Sequence, residues 1–144
     1  MHPALLSALL LAFLATSATA QTCSIDRAAV EARIAELESR YVGVLSDIGC
    51  DNPTLPAHQL MCGAATGESG DDTLWRMGRL NDLAWVHAVE NATATAWDMN
   101  RPTEPDPDFI AQRDQCTDTA CLCAVLIEAT NGNLGGTSPY PEPY

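Results

Sequence analysis

DRAAVEARIAELESRYVGVLSDIG, residues 26–49, carries Val30, Ile34, Leu37, Tyr41, Val44 and Ile48 at intervals of 4, 3, 4, 3 and 4. That spacing keeps one apolar stripe on one side of an α-helix. The expected helix runs from Asp26, a suitable N-cap, to Ile48, with Gly49 at the C′ position. Glu31, Arg33, Glu36, Glu38 and Arg40 fall on the remaining faces. A stripe this regular packs against a second helix and has no chemistry of its own.

The partner helix is expected from about Thr73 to Trp97, starting after Asp71-Asp72 and free of proline. Leu74, Met77, Ala84, Trp85, Ala88 and Ala92 form a broad apolar stripe, with Leu83 and Val86 off it, as in the central helix of a small bundle. Its polar strip, Arg76, Arg79, His87 and Glu90, reads as a solvated face with intrahelical ion pairs. Between the long helices, CDNPTLPAHQLMC (50–62) begins as a turn and becomes a short helix near Pro56. GAATGESGDD (63–72) reads as a mobile acidic loop. After the proline-rich 99–108, Asp106-Pro107 supplies the cap and first-turn proline of a helix over 108–115. A last helix spans about 119–130 and stops at Asn131-Gly132. The Gly/Pro-rich residues 132–144 are expected to be extended or disordered. With no strand-like alternation and no repeat, the expected fold is all-α: a small disulfide-stapled helical bundle or hairpin of two long and two or three short helices, in one domain over 21–131.

The apolar run from Ala4 to Ala15, followed by Ala18-Thr19-Ala20, reads as a secretory signal peptide cleaved after Ala20. No other stretch approaches the roughly 18 apolar residues of a membrane helix. The expected mature protein is secreted or periplasmic, without membrane insertion. Seven arginines, no lysine and nineteen acidic residues give a net charge of -12. Such a surface repels nucleic acid and anionic lipid and favours basic partners.

All six cysteines, Cys23, Cys50, Cys62, Cys116, Cys121 and Cys123, follow the signal. In an exported small domain they pair as disulfides, with fifteen connectivities open. The gaps in Cys116-x4-Cys121-x-Cys123 suit neither a thioredoxin-type redox pair nor a zinc knuckle. His58 and His87 have no serine or cysteine neighbour that would make a nucleophile–base pair. Glu68, Asp71 and Asp72 lack the alternating spacing of a calcium loop. The chain is therefore read as non-enzymatic, with no catalytic residues, metal or cofactor.

Cys50-x11-Cys62, with Pro56 midway and Met61 before the second cysteine, together with Arg113-Asp114-Gln115-Cys116 and Cys121-Leu122, resembles the domain named for the LprI lysozyme inhibitor. The resemblance covers roughly Cys50 to Leu134. It implies a helical protein of the bacterial envelope that binds a protein partner, in one case lysozyme. It also implies Cys50–Cys62 and Cys116–Cys121 bridges, leaving Cys23 and Cys123, additional to the family's four, to pair with each other. The chain departs from the family at His58, where a glutamate is usual, and at Val125 or Leu126, where a tyrosine is usual. Under this reading the acidic loop Glu68, Asp71 and Asp72 and the turn Asp51-Asn52 face a basic lysozyme. The alternative is a non-enzymatic envelope module that binds another partner through the second long helix or the tail.

Overall fold

Asp26 caps the first helix, its carboxylate accepting the Ala29 N–H at 3.0 Å, and α1 runs Arg27–Arg40. The computed structural model describes residues 23–68 and 70–141. The expected signal peptide, 1–20, lies outside them. α1 is shorter than the stripe predicts, because the chain leaves the helix at Tyr41 rather than Ile48. Gly43 takes φ +83°, a conformation closed to a right-handed helix. The Val42 carbonyl accepts from Trp97 Nε1 at 2.9 Å, and the Val44 carbonyl from Arg79 Nη1 at 2.6 Å. Two acceptors that a longer helix would use internally are thus taken by side chains from elsewhere. Tyr41, Val44 and Ile48 nevertheless stay buried. The 3–4 spacing encodes which side chains point inward, and an irregular segment satisfies it as well as a helix does.

The other elements are α2 (Pro56–Thr66), α3 (Thr73–Thr93), α4 (Pro107–Asp114), α5 (Thr119–Leu134) and a 3-10 turn, Gly135–Thr137. Each start has a local cause. Pro56 and Pro107 occupy the first turns of α2 and α4. Asp71 Oδ1 accepts the Thr73 N–H at 2.9 Å and its hydroxyl at 2.5 Å ahead of α3. Asp106 accepts from Asp108 and Phe109, and Asp118 accepts the Cys121 N–H at 2.8 Å.

α3 is the central element, packed on α1, α2 and α5, while α4 lies on α2 and α5. Neighbours on three sides alter its expected face. Leu80, Leu83 and Val86 are buried beside Leu74, Met77 and Ala84, whereas Trp85 and Ala88 are only partly covered and Ala92 is exposed. Gly78 lets α2 approach closely, because a Cβ there would run into the Met61 methyl. α3 ends at Thr93, short of Trp97, where Ala94 turns to φ 53° and the Trp97 N–H donates to Glu90 Oε2 at 2.9 Å.

α5 passes through Asn131-Gly132 to Leu134, past its expected stop, and of the tail expected to be extended or disordered the described residues, up to 141, pack back on the bundle. Leu134 and Tyr140 are buried, Arg33 donates to Thr137 Oγ1 at 3.0 Å, and Asn131 Nδ2 donates to the Pro141 carbonyl at 3.4 Å. Burial of those two side chains outweighs the helix penalty of Gly132, about 1 kcal/mol.

Three disulfides staple the bundle: Cys23–Cys123, Cys50–Cys62 and Cys116–Cys121. The first joins positions 100 apart. Closing so long a loop in the unfolded chain contributes roughly 4–5 kcal/mol by chain-entropy reasoning.

Candidate functional site

Charge is distributed unevenly across the molecule, and the site follows from where it is left unmatched. Along the seam between α1 and α3, every charged side chain of the expected polar strip reaches across to a partner. Arg76 makes two hydrogen bonds to Glu31, at 2.9 and 2.5 Å, and Arg79 Nε bonds Glu38 at 2.8 Å. Arg40 pairs with Glu90. The strip is therefore an interhelical ladder, not the solvated intrahelical face expected of it. Hydrogen bonds from Arg76, foremost, and Arg27 hold the Glu31 carboxyl at about 2.

His87 completes the ladder. Burial, with Arg33 and Arg40 adding their charge, keeps its imidazole below the usual value. A neutral ring with its proton on Nδ1 gives each donor one acceptor. Asn91 Nδ2 donates to Nε2 (3.0 Å), Nδ1–H donates to the Tyr41 hydroxyl (2.9 Å), and that hydroxyl donates to Glu90 Oε1 (3.2 Å). These groups hold the end of α1 on α3.

Beyond Tyr41 the pattern changes. The segment Val44–Ser46 forms one wall of a hollow of about 290 Å³, whose other side is Met61, Trp75, Gly78, Arg79 and Asp82. Leu45 stands at its rim with 85% of its surface exposed. A second hollow, of about 310 Å³, opens on the other side of the same segment toward Trp97 and Met99. Asp82, partly buried on α3, makes no hydrogen bond or ion pair among the described residues. Burial first, and the Asp47 charge second, push its carboxyl up to about 7, against the pull of Arg79 and Arg113.

Neither arginine bonds Asp82; each is turned to other acceptors. Arg79 is held by Glu38 and the Val44 carbonyl. Arg113 is 1% exposed, yet it donates twice to Asp47, at 2.7 and 2.8 Å, and from Nε to Asp114 at 2.8 Å. Its guanidinium lies 5.4 Å from the Phe109 ring centre. Burial would raise the Asp47 carboxyl, but the Arg113 hydrogen bonds outweigh it and hold that carboxyl below its usual value. His58 Nε2 is 2.9 Å from Asp114 Oδ1, so it donates there, and this ties α2 to α4. Arg113 thus fixes the 41–48 segment to α4 and leaves Asp82 facing the hollow alone.

The acidic residues singled out in the sequence lie elsewhere. Asp51 and Asn52 are exposed in the turn held by Cys50–Cys62, before the N-terminus of α2. Glu68, Asp71 and Asp72 follow its C-terminus, roughly 16 Å away for eleven residues at 1.5 Å each. Asp71 caps Thr73 and Asp72 pairs with Arg27 at 2.8 Å, while Glu68 is exposed. The fold does not bring these groups together. What the sequence reading missed is Leu45 and Asp82. Each had a signal: Leu45 is apolar but off the 4-3-4 stripe, and Asp82 is an acid beside Leu80, Leu83 and Ala84.

Among the described residues no three His, Cys, Asp or Glu side chains are grouped as metal ligands, and no helix is long and apolar enough to cross a membrane. No family model matches the chain, and neither does any curated protein or solved structure.

Proposed function

We propose that this chain is an exported, acidic, non-enzymatic binding protein that inhibits a basic lysozyme-like cell-wall hydrolase, the role its resemblance to the LprI inhibitor domain implies. The observation that carries this reading is the state of its cations. All seven arginines are engaged by carboxylates within the chain: Arg27, Arg33, Arg40, Arg76, Arg79, Arg101 and Arg113. With no lysine and nineteen acids, the surplus of -12 meets a partner without offsetting positive patches. A field of one sign steers a basic protein into encounter and rejects acidic ones. Six cysteines, all bridged, support an oxidising compartment.

The test is a titration of a basic lysozyme with the mature protein at low and high salt. Stoichiometric loss of activity is expected at low salt and a weaker effect at high salt, since exposed charge is screened over about 8–10 Å near physiological ionic strength. Undiminished lysozyme activity at equimolar protein in low salt would sink the reading. It would favour the alternative, a non-enzymatic envelope module with another partner.

A further inference from the structure

The hollow between Val44–Ser46 and α3 combines features that rarely meet by accident. Its wall is apolar and aromatic, from Leu45, Met61 and Trp75, and Asp82 lines it as an acid without a partner among the described residues. A carboxylate partly withdrawn from water and left without a bond destabilises a fold, and the neighbouring guanidiniums bond Asp47, Asp114 and Glu38 instead. At about 290 Å³ the space is small for a cofactor and ample for one long side chain.

We propose that this hollow receives one lysine or arginine side chain of a basic protein partner, its cationic head on the Asp82 carboxylate and its aliphatic stem along Leu45, Trp75 and Met61.

The chemistry excludes the other occupants one by one. A purely apolar group would strip the remaining water from Asp82 without replacing it. A divalent cation wants several oxygen ligands, and among the described residues Asp82 is the one carboxylate lining the hollow. A second copy of the chain has no lysine, and all its arginines are engaged. A long cationic side chain matches both halves of the site, because its stem is apolar and its charge sits at the end. Trp75, in the lining, is of the side-chain type that attracts a cation most strongly. The exposed Leu45 then becomes contact surface, at the rim where a partner's backbone would lie.

This assignment deepens the reading of the chain as a binder of basic proteins, and it can be tested apart from lysozyme. The probe is Nα-acetyl-lysine methylamide, titrated into the intact, disulfide-bonded protein at pH 8 and followed by amide chemical shifts. Nα-acetyl-norleucine methylamide, the neutral counterpart, is the control. Shifts should concentrate at Val44–Ser46, Trp75 and Asp82. Binding should fall about tenfold or more for the norleucine compound, and likewise for the Asp82→Asn variant. Leu45→Ser should weaken lysine and norleucine probes alike, because it removes only stem contact. Equal binding of the two probes, unchanged binding by Asp82→Asn, or shifts scattered over the acidic surface would each overturn the proposal. So would free butylammonium binding as tightly as a short lysine-bearing peptide, since the occupant would then not be a protein side chain. Lysine binding in the hollow without lysozyme inhibition defeats the proposed function and leaves the hollow. Inhibition undiminished in Asp82→Asn does the reverse.

Discussion

Arg27–Arg40 and Tyr41–Ile48 share one apolar period, yet they end as different objects. The first half is a helix whose charged flank is matched to α3 almost residue for residue. The second half is irregular, with its carbonyls bound by Trp97 and Arg79, and it borders the hollow where Asp82 is unmatched. The difference teaches that a buried stripe and a helix are separate outcomes. Burial is set by spacing, whereas helix also requires that the backbone acceptors stay available and that no residue is forced to positive φ. Function is more readily hosted on the second kind of segment, since its exposed side chains are not already committed to a helical neighbour.

The contrast depends on Arg113, which anchors the second half through Asp47 and keeps Asp82 alone. Arg113→Met should break it most severely. The change leaves Asp47 and Asp114 without their buried cation, and a loss of about 3–5 kcal/mol is expected in urea denaturation at pH 7. A loss near zero would mean that the segment is held by Tyr41, Val44 and Ile48 alone.

Titration sharpens the comparison because the acid beside the hollow and the acid in the α1–α3 seam shift in opposite directions. Asp82 has a carboxyl raised from 3.8 to about 7, so its charge destabilises the fold increasingly as pH rises through that window. Asp82→Asn should therefore stabilise the protein at pH 8, by at most about 4 kcal/mol, and have little effect below pH 4. Glu31 is the mirror image, lowered from 4.5 to about 2. Its contribution is present above 4.5 and is lost as pH falls toward 2, and Glu31→Gln should remove it. Thermal unfolding across pH 2 to 8 reads both, and the same slope for the two variants would contradict the assignment of one as matched and the other as unmatched.

The smallest expected effect is at the junction itself. At Gly43, φ +83° costs an L-residue about 1–2 kcal/mol. A Cβ would also sit 3.3 Å from the Met99 methyl, but Met99 is exposed and can yield. Gly43→Ala should lower Tm by several degrees and perturb amide shifts from Val42 to Leu45 more than those of α1. An unchanged Tm would show that the segment tolerates another path.

Much of the fold was legible because it rests on local signals. Proline at the first turns of α2 and α4, the caps Asp26 and Asp106, and the 3–4 period of α1 are each written within a few residues. Three departures arose where distant groups intervened. α1 stopped early because Trp97 and Arg79 claimed carbonyls. α5 ran on because Leu134 and Tyr140 found places in the core. α3 buried Leu83 and Val86 because three helices surround it.

By itself, then, the sequence determined that this protein is a helical bundle, where its helices begin, and that its charge is overwhelmingly acidic. Spacing, caps and composition act over short range or by simple addition. Which acids are neutralised was decided only by the tertiary structure. Asp72, conspicuous in the chain, is met by Arg27, while Asp82, inconspicuous among leucines, makes no pair among the described residues and lines a hollow. Pairing depends on which guanidinium each carboxylate meets across the fold, and no local pattern records that.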